Sequence, residues 1–129
     1  IPAIDQGKVV ISDRYADATF AYQGAGRGFP EDKVNQVIEL ATGGLKPDLT
    51  LFFDIPVDAA IARMAVRDED HTKRNRMDDE TAEFYSRVRD AYLGIARREP
   101  KRFIVIDASG TVDDIHRRAA EIVFSHLNV

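Results

Sequence analysis

The chain contains no cysteine, which removes both a disulfide framework and a thiolate metal site and leaves redox compartment without a thiol argument. It also lacks any apolar run near the roughly 20 residues that a membrane-spanning helix needs, and its N-terminal residues show no secretory pattern. Positive charge is in short supply, with 18 Lys and Arg against 22 Asp and Glu and a formal net charge of -4. That balance argues against a general nucleic-acid binder while permitting a local basic patch. Repeats, low-complexity tracts and linkers are absent as well. At 129 residues, 44% hydrophobic and 31% charged, the chain has room for one core and one domain. The expectation is a single domain over 1–129, soluble and cytoplasmic, with neither nucleic acid nor membrane as partner.

What is present alternates between strand and helix. Lys8 to Asp13 reads as a buried strand through Val9-Val10-Ile11-Ser12, followed by a polar stretch rich in glycine. Pro30 stands in the first turn of a helix, with Glu31 and Asp32 at its positive end, Val34, Val37, Ile38 and Ala41 at helical spacing, and Gly43-Gly44 as its close. Leu49-Thr50-Leu51-Phe52-Phe53-Asp54 is almost wholly apolar, as a central strand covered on both faces would be. Pro56 and Asp58 open a helix carrying Val57, Ala60, Ile61 and Met64 and ending in a charged run from Arg67 to Arg76. A longer helix is expected from about Asp79 to Arg98, with Phe84, Val88, Ala91 and Ile95 on one face, stopped by Pro100. Phe103 to Asp107 is the third strand, and Thr111-Val112-Asp113-Asp114 resembles a capping box ahead of Ile115, Ala119, Ile122 and Val123. The rhythm predicts an α/β fold with a parallel sheet of three strands and helices on both faces.

All three expected strands end in aspartate, at Asp13, Asp54 and Asp107. For Asp54 and Asp107 the simpler reading is a cap on the turn leaving the strand. Asp13 differs, because Arg14 follows it at once, and a carboxylate paired with Arg is held ionised and ready to face a metal or its waters. Beyond them lie Tyr15, Thr19 and Ala21-Tyr22-Gln23-Gly24-Ala25-Gly26-Arg27-Gly28. In parallel α/β folds ligands bind at the carboxyl ends of the strands. Arg offers phosphate a planar fork of donors and Gly lets backbone approach closely, so the stretch suits a small phosphate-bearing ligand.

These residues resemble the signature of the bacterial thymidylate kinase family. The likeness continues through Pro47 to Pro56, through Arg76-Met77-Asp78-Asp79-Glu80, through Phe84 to Leu93, and through Ile106-Asp107-Ala108-Ser109. It implies a three-layer P-loop NTPase-like nucleotide kinase fold and transfer of the terminal phosphoryl group of ATP to dTMP, in the route to dTTP. By the same likeness Arg14 bridges acceptor and donor phosphates, Asp13 holds Mg²⁺ through water, and Thr19 and Gln23 lie near the thymine. Tyr22 lies against the sugar or is an ordinary half-buried aromatic, and Arg27 contacts substrate or anchors the loop. Residues 67–78 correspond to the family's lid over ATP. Arg76 aligns with its catalytic arginine, with Lys73 and Arg74 as alternatives. Asp107, Ala108 and Ser109 correspond to the segment near the adenine. Asp79 and Glu80 either reach the acceptor or serve as the acidic first turn of a helix. Tyr85 and Tyr92 are core or dimer contacts, and a homodimer is expected.

One departure from the family pattern is large. No G-x-x-x-x-G-K-[ST] loop, which cradles the donor phosphates in P-loop kinases, occurs in the 129 residues. Ile1 to Gly7 resembles the end of the helix before the signature strand. The expectation is therefore a C-terminal part of a longer kinase, inactive alone. Alternatives are another P-loop nucleoside or nucleotide kinase, or a catalytically silent nucleotide-binding module. RNA binding through the basic lid conflicts with the acidic balance.

Overall fold

The computed structural model describes residues 1–71 and 82–129, the side chains of 67–71 excepted. Lys73, Arg74, Arg76, Asp79 and Glu80 therefore lie outside the described residues. The elements run α1 (Pro2–Asp5), α2 (Ala16–Thr19), a π-helix (Phe20–Gly26), α3 (Glu31–Thr42), β1 (Thr50–Asp54), α4 (Val57–His71), α5 (Ala82–Arg98), β2 (Phe103–Asp107) and α6 (Val112–Leu127).

β1 and β2 pair in parallel, with Thr50 opposite Phe103 and Asp54 opposite Asp107. A parallel pair cannot be joined by a tight turn, and here the connection runs through α4 and α5. The register sets Asp54 and Asp107 side by side at one end and the approaches to Thr50 and Phe103 at the other.

The expected strand over Lys8 to Asp13 does not form: Val9, Val10 and Ile11 are 65%, 57% and 91% exposed and adopt no regular structure. A strand is stabilised by a neighbour's hydrogen bonds and by cover on its faces, and among the described residues β1 and β2 pair only with each other. The sheet therefore has two strands rather than three. For the same reason β1 is not central, and Phe53 is half exposed.

The helices follow their capping chemistry. Thr111 is the N-cap of α6, its Oγ1 accepting from the Asp114 amide at 3.1 Å. Gly43 ends α3 at φ 63°, the left-handed conformation that costs glycine no steric strain. α5 stops at Arg98, two residues before Pro100. α4 continues through residue 71, taking in the first five residues of the stretch assigned by resemblance to the lid.

The core forms where α5 meets the π-helix. Phe84 and Val88 bury against Ala21, with Tyr22, Tyr85, Ala91 and Tyr92 packed around them. Further along α5, Tyr92 packs against the rings of Phe52, 4.5 Å away, and Phe103, 6.2 Å away, each nearly parallel to it, and those two rings lie 6.0 Å from each other. This stack fastens α5 to the sheet, and it makes Tyr92 a core residue. Burial pushes its phenol up to about 12.

Candidate functional site

Arg14 carries the local geometry of the site. Its φ of 69° is one of two positive values among the described non-glycine residues. A left-handed conformation in a side-chain-bearing residue persists only where its surroundings hold it, and such positions cluster at functional sites. The Ser12 hydroxyl donates to the Arg14 carbonyl at 3.0 Å, bridging the bend. The guanidinium then lies over the Tyr22 ring, 4.5 Å from its centroid, within cation–π range. Tyr22 in turn packs on Phe84 and edge-on to Tyr92, at 5.8 and 6.5 Å between centroids. An otherwise exposed arginine is thus seated on an aromatic surface continuous with the core.

The expected Asp13–Arg14 ion pair is absent; the salt bridges of Arg89, Arg102 and Arg117 involve other carboxylates. Consecutive side chains diverge from an extended backbone, and the turn at Arg14 carries its guanidinium to Tyr22 instead. Asp13 is exposed. Among the described residues no group of three or more His, Asp or Glu side chains could enclose a metal ion. A single solvated carboxylate still matches the chemistry of Mg²⁺, which keeps several waters and takes one or two carboxylates together with substrate phosphates.

Thr19 and Gln23 are exposed and Tyr22 is half-buried. Ordinary helical spacing would put all three on one face, but the π-helix hydrogen-bonds at a spacing of five, as from the Arg27 amide to the Tyr22 carbonyl at 2.9 Å. Tyr22 turns toward the core, packed against the cluster of Ala21, Phe84 and Val88, while Thr19 and Gln23 stay exposed. The Arg27 guanidinium lies 5.2 Å from the Phe84 centroid, on the same aromatic cluster.

Asp54 does more than cap a turn. Its carboxylate takes a bidentate pair from Arg89, with Nε and Nη2 at 2.8 and 3.0 Å, and its carbonyl accepts from the Ala108 amide at 2.8 Å. The hydrogen bond to Asp54 raises the Arg89 pKa further. Asp107 matches the capping reading: it accepts from the Ser109 hydroxyl and, at 3.0 Å, from the Ser109 amide. The hydroxyl, then the amide, holds the Asp107 carboxyl below the usual range. Arg63 and Arg118 donate to the carbonyls of Ala108 and Asp107, each at 3.0 Å, which secures the Asp107–Ser109 turn.

The opposite end of the sheet has a different character. Arg102 gives Nη1 and Nη2 to Asp17 at 2.8 and 3.1 Å, and Nη2 also reaches Glu99 at 2.8 Å. The neighbouring cavity, about 270 Å³, is lined in part by Asp17, Glu31, Glu39 and Glu99. Lys46, Arg98 and Arg102 line the same cavity, so its charge is mixed, and Asp17 and Glu99 are already paired with Arg102.

Sequence reasoning assigned no role to Arg87, Arg89 or Arg102. A signal for Arg89 was available, since Tyr85, Arg89 and Tyr92 recur at four and three residues and a strand-end carboxylate buried beside that face requires a cation. Arg102 offered no such signal, because its partner Asp17 is 85 residues away.

Comparison with known proteins is consistent along the whole chain. A family model described as thymidylate kinase matches residues 1–119. Proteins named thymidylate kinase from Kosmotoga olearia, Syntrophotalea carbinolica and Cupriavidus necator are 42%, 44% and 45% identical over 94%, 99% and 95% of the chain. The matches span 56%, 60% and 58% of the lengths of those relatives.

Proposed function

This chain belongs to the thymidylate kinase family, and from that premise we propose that the full-length enzyme containing it transfers the terminal phosphoryl group of ATP to dTMP, giving dTDP. The observation that carries this reading is the Arg14 guanidinium held over Tyr22 in the middle of the Asp13-Arg14-Tyr15 and Ala21-Tyr22-Gln23-Gly24 motifs. Phosphoryl transfer asks a protein to align two nucleotides and neutralise charge on the transferred group, with little covalent work. Arg14 has the planar donors for that task. Tyr22, facing one way toward Arg14 and the other toward the core, limits how far the guanidinium can move.

In this reading Arg14 bridges the acceptor and donor phosphates, and Thr19 and Gln23 supply hydrogen bonds to the base. Tyr22 lies against the sugar, and Arg27 steadies the loop around it. Mg²⁺, when bound with ATP, neutralises phosphate charge, and Asp13 would hold it through water. Asp107, Ala108 and Ser109 border the adenine, in a turn fixed by Arg63 and Arg118. Arg76, or in its place Lys73 or Arg74, supplies lid charge to the transferred group. The donor phosphates need a G-x-x-x-x-G-K-[ST] loop on a P-loop NTPase fold, and the 129 residues contain none; alone they are expected to be inactive. The enzyme works as a cytoplasmic homodimer.

The test is steady-state turnover of the full-length enzyme with dTMP and ATP. Arg14→Ala should lower kcat by about 10² to 10³-fold, the usual loss on removing one donor to developing charge. Turnover within threefold of wild type would overturn the assignment of Arg14.

A further inference from the structure

The π-helix needs a physical reason to exist. Such helices are rare, most are single-turn bulges, and they gather at functional sites; this one runs seven residues, Phe20 to Gly26. At its carboxyl end Gly26 is buried, and a Cβ there would stand 2.7 Å from a Phe84 ring carbon and 3.0 Å from a Val88 methyl. Only glycine lets the backbone come this close to α5. The contact also brings the Gly26 carbonyl within reach of Arg87, which lies three residues beyond Phe84 on the same helix. Arg87 donates to that oxygen from Nε at 3.2 Å and from Nη2 at 2.8 Å. A charged fork thus satisfies a carbonyl at the helix terminus, where partners within the helix run out.

We propose that Arg87 is a positioning residue for the acceptor nucleotide: its two hydrogen bonds to the Gly26 carbonyl, against the glycine-only contact with Phe84, hold the π-helix in the register that presents Tyr22 and Gln23. The link to the site is short. Phe84, which Gly26 meets, is the ring on which Tyr22 packs, and Tyr22 is the surface beneath Arg14. With Arg87 shortened, the terminal carbonyl loses its partner and the segment can rewind to the ordinary helical spacing of four. That change rotates Tyr22 relative to Gln23 and withdraws the support of Arg14. Among the described residues neither Arg87, Gly26, Tyr22 nor Arg14 bonds the Asp107–Ser109 turn, which Arg63, Arg118 and Asp54 hold, so the larger effect falls on the acceptor. The inference rests on the kinase reading above, with dTMP as acceptor.

The experiment is steady-state kinetics of the full-length enzyme with each substrate varied in turn. Arg87→Met should raise KM for dTMP about tenfold, the scale of losing hydrogen bonds from a charged donor, while KM for ATP stays within twofold. Arg87→Lys, which keeps a single donor and is the variant expected to fold in any case, should raise KM for dTMP only about threefold, a partial rescue. A merely structural loss would lower the active fraction and move neither KM. Unchanged KM for dTMP in both variants, or equal rises for dTMP and ATP, would overturn the positioning role. A wild-type enzyme that does not turn over dTMP would instead overturn the kinase reading.

Discussion

Arg102 shows how a single residue joins distant parts of the chain. Its guanidinium meets Asp17 from the first helix after Arg14, Glu99 just beyond the end of α5, and the Thr50 hydroxyl at 3.1 Å from the start of β1. The Arg102 and Asp17 side chains are 15% and 18% exposed, so the pair is neither a solvated surface contact nor a sealed one. Breaking it should cost about 2 kcal/mol, between the ~1 kcal/mol of surface pairs and the ~3–5 kcal/mol of fully buried ones. Chemical denaturation of an Arg102→Met variant checks this. The hydrogen bond from Arg102 also holds the Glu99 carboxyl below its ordinary range. A depressed carboxyl stabilises the fold above its unfolded pKa and loses that contribution as pH falls through the folded one. Wild type should therefore lose stability on acidification more steeply than Arg102→Met, and parallel acid profiles would contradict the coupling.

At the scale of elements, local chemistry predicts local structure well. The Thr111 cap accepts the amide three residues on, as the Thr-Val-Asp-Asp pattern implies, and Thr111→Ala should cost about 1 kcal/mol by the same denaturation measurement. α3, α5 and α6 lie close to where periodicity and caps put them, with Gly43 and Pro100 as legible stops. Two elements were not legible. Val9-Val10-Ile11 has the composition of a strand, but pairing depends on a partner elsewhere in the chain, and the partner here does not appear among the described residues. The π-helix was also unreadable, because Phe20 to Gly26 has no composition that distinguishes a spacing of five from one of four. Its cause lies 61 residues away, in the Arg87 contact with Gly26. Tyr22, Arg14 and Gln23 could be named from the sequence, whereas their relative facing could not.

For the molecule as a whole, the sheet ends divide the work. One end carries the mixed-charge tie of Arg102, Asp17 and Glu99, while the other sets Asp54 and Asp107 side by side, Asp54 held by Arg89 of α5 and the Asp107–Ser109 turn by Arg63 of α4 and Arg118 of α6. Between them, the stack of Phe52, Tyr92 and Phe103 connects the sheet to α5, and α5 connects to the π-helix and Arg14. Among the described residues no helix is long and apolar enough to cross a membrane. The parallel α/β class was readable from alternating elements; the two-stranded sheet was not, since strand count depends on pairing. The role proposed for the Arg14 face is to receive a thymidine monophosphate. Its most direct test is competition among dTMP, dUMP, dCMP and thymidine for ATP in the full-length enzyme, with ADP release and chromatographed products as the readout. dTDP should be the dominant product; preferential phosphorylation of thymidine or dCMP, or no ADP release dependent on dTMP, would contradict the claim.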